Sequence, residues 1–122
     1  MQAALPCDEP LRLAALYRYD ILDTPQEQPF DDITRLVASI CQTPIAVINL
    51  IDQKRQWFKS ACGAGVGETS RDMSFCAHAI LERSVMVVPD ALLDDRFADN
   101  PVVVNDPRVR YYLHRPKELA AR

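Results

Sequence analysis

The chain has 122 residues, of which 48% are hydrophobic and 25% are charged, and its formal net charge is −3 at pH 7. A chain of this length fits one domain with one hydrophobic core. Basic residues are scattered rather than clustered, which argues against a nucleic-acid partner. The longest nearly apolar run, Pro44 to Ile51, is far shorter than the ~20 residues of a membrane helix, and no leader pattern opens the chain. We therefore expect a cytoplasmic protein without membrane insertion.

The four cysteines, Cys7, Cys41, Cys62 and Cys76, are widely spaced. A chain that can build a normal core does not need cross-links, so we expect free thiols. No Cys-x-x-Cys pair is present, and Cys76 with His78 cannot supply the four ligands of a structural zinc site. The sequence therefore predicts no metal site and leaves any cofactor unknown.

Two amphipathic helices are predicted in the first third of the chain. After an irregular segment 1–9, apolar side chains recur at i, i+3, i+4 and favour a helix from Pro10 to about Tyr19: Leu13, Leu16 and Tyr17. A second helix is predicted from about Pro29 to Cys41, where the repeat is Ile33, Leu36, Val37 and Ile40. Periodicity alone does not decide which of these residues belong to the core and which to a dimer interface.

The next segment predicts a β-hairpin. Residues 45–51 are apolar on both faces apart from Asn49, so a strand here should be covered on both faces and lie centrally in a sheet. Residues 52–55 predict a turn into a second, more exposed antiparallel strand at 56–60. All three glycines follow at 63, 65 and 67. They predict either a surface crossover, which we favour, or a loop that lines a binding site.

Shorter elements are predicted in the second half. Ser74 is a suitable N-cap for a helix that runs to about Arg83. A short strand at 85–88 and a turn at 94–101 follow, because Asp and Asn side chains in the latter can bond their own backbone. Residues 109–113 are compatible with a further strand and residues 114–122 with the start of a helix.

Several of these segments carry motifs of one family in the order in which that family has them. They are Leu13-Ala14-Ala15-Leu16 with Ile21-Leu22-Asp23-Thr24-Pro25, then Phe30-Asp31-Asp32-Ile33, Leu50-Ile51-Asp52, and the run from Ser74 to Pro101. Over nearly all of residues 1–122 the chain resembles a GAF domain, of the subgroup at the N-terminus of bacterial sensor histidine kinases and diguanylate cyclases. The resemblance implies an α+β fold with an antiparallel sheet, helices packed on one face and pocket-forming loops on the other.

The C-terminus departs from the family pattern. After Arg110-Tyr111-Tyr112 such domains continue with an Ala-Gly-Ala-Pro-Leu strand, a glycine turn and a Gly-Thr-Leu-Cys-Val-Ile-Asp strand, none of which follows here. We interpret this as a sheet hairpin missing between 112 and 114, either in the natural protein or through an edited sequence. The loss would leave an open edge beside the strand at 45–51. A dimer partner, an exchanged element or the segment 115–122 would then cover that edge.

No catalytic signature accompanies the resemblance. Cys76 and His78 are two residues apart on a short helix, so they point in different directions and cannot act as nucleophile and base. Cys76 is either a core cysteine or a redox-responsive or ligand-contacting thiol, whose pKa a helix N-terminus would lower. One branch of the family reduces free methionine sulfoxide, but its reactive cysteine has no counterpart in 94–106. A bilin-binding branch places its cysteine next to a histidine, whereas Ala77 intervenes here.

We therefore expect a non-enzymatic sensory or regulatory domain of bacterial signal transduction. It would bind a small molecule or respond to redox state, and it would form a homodimer. The candidate pocket combines an apolar wall with a few polar anchors, which fits a small planar or mixed-polarity ligand. Its residues are Asn49, Trp57, Phe58, Met73, Phe75, Cys76, Asp90 and Phe97. The alternatives are a truncated domain with only a structural or dimerisation role, and a free methionine sulfoxide reductase.

Overall fold

The computed structural model describes residues 1–65 and 67–115. The helices are α1 (Glu9–Arg18), α2 (Gln28–Cys41), α3 (Phe75–Ala79) and α4 (Pro101–Val104), and 3-10 turns cover Arg71–Met73 and Ala91–Leu93. The strands are β1 (Ala46–Ile51), β2 (Arg55–Cys62), β3 (Glu68–Ser70), β4 (Met86–Val88) and β5 (Tyr112–His114). In this part of the chain they form two antiparallel sheets, β1–β2–β3 and β4–β5. The expected α+β class is confirmed.

Helices α1 and α2 confirm the two predicted amphipathic helices, and the structure shows which of their apolar residues are buried. Leu16 of α1 is 1% exposed and Leu13 is half-buried, whereas Tyr17 is exposed. Helix α2 packs on the sheet through its polar side, where the Thr34 hydroxyl lies 2.9 Å from that of Ser60. Its apolar repeat consequently points outward, with exposed fractions from 43% to 72% for Ile33, Leu36, Val37 and Ile40.

Strand β1 lies at the edge of its sheet, which corrects the expectation of a central position. Within residues 1–65 and 67–115 it pairs only with β2, and Val47 is 36% exposed. The central strand is β2, which was expected to be the more exposed one, yet Lys59 and Ser60 are 1% and 0% exposed. Hydropathy misassigned the two strands because Lys59 and Ser60, although polar, are buried with hydrogen-bond or ionic partners in α2 and the segment before it. The unpaired side of β1 agrees with the open edge expected there.

A β-bulge in β2 centres on Lys59. Ile48 pairs with Ser60 and Asn49 with Phe58, so Lys59 has no partner across the ladder. A bulge re-aims the side chains that flank it. The Lys59 ammonium accordingly reaches the segment before α2, where its partners are the Thr24 hydroxyl at 2.8 Å, the Pro25 carbonyl at 2.6 Å and the Glu27 carboxylate at 2.6 Å, with the Phe30 ring 5.3 Å away.

Two further contacts extend this attachment along β2. The Arg55 guanidinium donates two hydrogen bonds of 2.8 Å to the Asp23 carboxylate. The Ser60 hydroxyl donates to the Asp31 carboxylate at 2.6 Å. The polar residues of the motifs at 21–25 and 30–33 therefore fix α2 and its approach to the sheet, which is a structural role.

The glycine-containing connection from β2 to β3 is exposed over the residues that the structure describes, 63–65 and 67. Gly63 has φ +79, and a Cβ there would lie 1.7 Å from the Pro44 carbonyl oxygen. Only glycine fits this backbone conformation and this close approach. These features agree with the surface crossover that the sequence favoured.

The second half of the chain builds its own core around α3, β4 and α4. The buried cluster comprises Phe75, Ala79, Met86, Val88, Ala91, Phe97 and Val103. Ser74 caps α3 as predicted, but the helix ends at Ala79 rather than Arg83. His114, expected at a helix start, belongs to β5, and the predicted helix at 116–122 lies outside the described residues. Across the described ranges, no helix is long and apolar enough to cross a membrane.

The first prediction concerns Lys59. Lys59→Ala removes the ion pair with Glu27, orphans the Pro25 carbonyl and leaves a cavity, so we expect the free energy of unfolding to fall by about 2–4 kcal/mol. Lys54 is exposed and serves as the matched control, because Lys54→Ala should change stability by less than about 0.5 kcal/mol. Urea denaturation of both variants measures the difference. Equal stabilities would contradict the role assigned to Lys59.

Candidate functional site

Ser74 positions α3 over the central strand. Its hydroxyl oxygen accepts a hydrogen bond from the Ala77 N–H at 3.2 Å, which caps the helix, and its hydroxyl proton is donated to the side-chain oxygen of Gln56 on β2. This double attachment holds the first turn of α3 against the sheet. Cys76, 3% exposed, lies on that turn with its sulfur directed at β1.

Three polar side chains meet at the Cys76 sulfur, and together with Cys76 we name them the Cys76 cluster: Asn49, Cys76, Tyr112 and His114. The Asn49 amide donates to Sγ at 3.1 Å, and the Tyr112 hydroxyl lies 2.8 Å from it. His114 Nδ1 is 3.5 Å from Sγ and 3.1 Å from the Tyr112 hydroxyl. Because Asn49 is on β1 and Tyr112 and His114 are on β5, the cluster joins the two sheets.

The three titratable members of the cluster are uncharged at neutral pH. Burial raises the pKa of the Cys76 thiol. Burial, and secondly the neighbouring Cys76, raises the pKa of the Tyr112 hydroxyl, while burial lowers the pKa of His114. Of the two alternatives for Cys76, the structure agrees with the core cysteine, since α3 has only five residues and desolvation of the sulfur opposes the lowered pKa that a reactive thiol would need. A protonated thiol beside a neutral imidazole can give and accept hydrogen bonds but is a poor nucleophile.

The structure brings together only some of the eight predicted pocket residues. Asn49 and Cys76 are in contact, and Phe58 is the ladder partner of Asn49, so it lies on the same face of the sheet. Trp57 precedes Phe58 on β2 and therefore points to the opposite face. This separation removes Trp57 from the predicted pocket wall.

The remaining predicted residues have local structural partners. Phe75 and Phe97 stack with ring centroids 4.1 Å apart inside the core cluster. Met73 is 45% exposed, and its carbonyl accepts a hydrogen bond from Asn100 at 2.8 Å. The Asp90 carboxylate caps the following turn by accepting from the Leu92 N–H at 3.0 Å. These four residues do not contact the Cys76 cluster through hydrogen bonds, although the Phe75 ring packs 4.9 Å from that of Tyr112.

Sequence reasoning missed Tyr112 and His114. Their spacing of two residues places both side chains on one face of a strand, and this signal was present in the sequence. It was overlooked because the strand was expected to end at residue 113 and a helix to start at His114, so Tyr112 and His114 were assigned to different elements.

Neither of two concave regions in the described part of the chain is lined by the Cys76 cluster. The larger, of about 500 Å³, lies between the N-terminal segment, the β1–β2 turn and the turn at Arg71–Met73. The smaller, of about 110 Å³, lies at the end of α1.

Comparison with known proteins assigns the family. A family model described as GAF domain matches residues 26–116. The chain belongs to the GAF family. It is also 42% identical over 115 residues to a cyclic di-GMP phosphodiesterase of Pseudomonas aeruginosa. That alignment covers 94% of this GAF domain but 20% of the phosphodiesterase, so the chain spans about one fifth of its relative's length.

The second prediction concerns thiol reactivity. Cys41 is exposed, whereas Cys76 is buried with a raised pKa and hence a small thiolate fraction. At neutral pH we expect iodoacetamide to modify Cys76 at least about 100-fold more slowly than Cys41, followed by mass spectrometry of the two peptides. In urea the two rates should converge. Comparable rates in the folded protein would contradict the neutral, enclosed thiol.

Proposed function

We propose that this GAF domain is the sensory, regulatory part of a cyclic di-GMP signalling protein and that it binds a small molecule at the Cys76 cluster. The relative named as a cyclic di-GMP phosphodiesterase supports the signalling context. The same sensory role would apply if the domain regulated a histidine kinase or a diguanylate cyclase, as in the subgroup that the sequence resembles. The observation that carries the ligand proposal is the set of neutral polar groups that meet where α3, β1 and β5 come together.

The chemistry of the cluster favours binding over catalysis and over redox response. A catalytic or redox-responsive Cys76 would need a thiolate, which desolvation of the sulfur disfavours. Neutral donors and acceptors beside the Phe75 and Tyr112 rings suit a small ligand with a planar, uncharged polar face. We therefore propose recognition through hydrogen bonds and stacking by a non-enzymatic chain. A cytoplasmic location is a separate part of the proposal.

The third prediction tests ligand binding. A ligand that binds only the folded state stabilises it by about 2.7 kcal/mol when its concentration is 100 times its dissociation constant. The melting temperature rises as a result. We expect a shift of several degrees with a member of a panel of nucleobases, nucleotides, cyclic di-GMP and amino-acid derivatives, measured by differential scanning fluorimetry.

Tyr112→Phe and Tyr111→Phe form a matched pair for this measurement. Tyr111 is 62% exposed and precedes β5, so its loss should leave the ligand-induced shift intact, whereas Tyr112→Phe should reduce it by more than half. Each variant is compared with its own ligand-free melting temperature. A panel without any shift, or equal shifts in the two variants, would count against the binding site.

Dimerisation is the second part of the proposal. The outward apolar repeat of α2 exposes four large aliphatic side chains at helical spacing: Ile33, Leu36, Val37 and Ile40. A stripe of this kind on a soluble helix is unfavourable unless it is covered. A second copy would place the same stripe against it in an isologous interface, in which each stripe covers the other.

The fourth prediction tests that interface. Leu36→Glu puts a charge in the centre of the stripe and should convert a dimer to a monomer in size-exclusion chromatography with light scattering at micromolar concentration. Ser39→Glu adds the same charge at an exposed polar position of α2 and should leave the dimer intact. A wild-type chain that is already monomeric would refute this part of the proposal.

A second candidate function is a truncated GAF domain with only a structural or dimerisation role. It is favoured by the division of the strands into two sheets and by the missing hairpin pattern after Tyr112. The two candidates differ in one result, because a purely structural domain dimerises without responding to any compound of the panel.

A further inference from the structure

The larger cavity has the size and chemistry of a second binding site. Its volume of about 500 Å³ falls within the range of small-molecule pockets. It lies beside the β1–β2 turn and the turn at Arg71–Met73, and polar side chains dominate its wall: Gln2, Gln53, Lys54, Ser70, Arg71 and Asp72. None of these residues belongs to the Cys76 cluster.

Arg71 supplies a cation with unused hydrogen-bonding capacity. It is 6% exposed, and its bonds run from Nη1, to the Glu9 carboxylate and to the carbonyls of Asp52 at 3.0 Å and Gln53 at 3.4 Å. Among residues 1–65 and 67–115, Nη2 is buried without a partner. The edge formed by Nε and Nη2 is therefore free, and this is the edge with which arginine binds an oxyanion in bidentate fashion.

The surrounding charges favour an anion. Arg12 and Arg71 share the single carboxylate of Glu9. Lys54 adds an exposed ammonium to the cavity wall and makes no ion pair in the described part of the chain. The Asp72 carboxylate, which accepts a hydrogen bond from the Gln2 amide at 2.8 Å, also lines the cavity, so three cations, Arg12, Arg71 and Lys54, face two carboxylates, Glu9 and Asp72, and one positive charge remains in excess.

The arrangement of the hydrogen-bond donors around the cavity favours a tetrahedral anion over a carboxylate. Ser70 accepts from the Asp72 N–H, so its own hydroxyl proton remains available to a ligand. Lys54 on the β1–β2 turn and Arg71 on the facing turn approach the cavity from different segments. Donors from several directions suit the three or four oxygens of a tetrahedral group better than the two of a carboxylate.

We propose that this cavity binds the phosphate group of a small molecule, held by the Nε–Nη2 edge of Arg71 and by Lys54. The site is independent of the ligand proposed for the Cys76 cluster, because the two sets share no residue. An incoming phosphate would give Arg71 Nη2 the partner that the protein does not provide.

Isothermal titration of the purified chain with inorganic phosphate and with pyrophosphate, at fixed ionic strength, tests the proposal. Acetate at the same ionic strength provides the carboxylate comparison. We expect saturable binding of phosphate or pyrophosphate and none of acetate. Lys54→Glu should weaken the affinity about tenfold. Arg18→Glu changes the net charge equally at an exposed position outside the cavity and should leave the affinity unchanged.

Arg71→Lys keeps the charge but removes the paired donors, so it should also weaken binding about tenfold or more. Thermal melting first establishes whether that variant is folded, and if it is not, the Lys54 and Arg18 variants decide. The proposal is overturned if millimolar phosphate and pyrophosphate give no saturable binding, if acetate binds as tightly, or if the two glutamate variants weaken binding equally.

Discussion

A buried lysine in the central strand is the constraint on which the rest of this fold depends. Moving an ammonium out of water costs several kcal/mol unless good partners replace its hydration. Lys59 finds them in one short segment, at Thr24, Pro25 and Glu27. The bulge that directs Lys59 there and the turn that receives it must therefore form together. Because α2 begins directly after this segment, its position on the sheet is set by the same contacts.

This constraint accounts for the inverted orientation of α2. With its N-terminus held at Glu27, the helix presents Asp31 and Thr34 to the Ser60 hydroxyl. The polar side of α2 therefore packs on the sheet. The apolar repeat lies on the other side of the helix and faces outward. In most surface helices the apolar stripe covers the core. Here specific hydrogen bonds outweigh the hydrophobic preference locally, and the exposed stripe is the consequence.

The sequence predicted where the helices and strands lie but not which side of each is buried. Helical periodicity placed α1 and α2, and the Ser74 cap placed the start of α3, because both signals are local. The edge position of β1 was not predictable from its apolar residues, since the decisive information lay in the partners of Lys59 and Ser60. Tyr112 could have been linked to His114 by strand spacing, but their contact with Cys76 depends on how two separate sheets meet. Tertiary hydrogen bonds of this kind leave no periodic pattern.

The ion pairs of Glu9 and the uncharged Cys76 cluster also differ in how they respond to pH. The hydrogen bond with Arg12 is the largest of the influences that hold the pKa of Glu9 at about 2. A carboxylate with a depressed pKa contributes stability that is complete above its unfolded value, near 4.5, and is lost as the pH falls towards 2. Around neutrality the attachment of α1 to the β1–β2 turn through Glu9 and Arg71 is therefore insensitive to pH. The Cys76 cluster carries no charge to anchor it, so the contact between the two sheets rests on neutral hydrogen bonds and packing, which a ligand can exchange without exposing a buried ion.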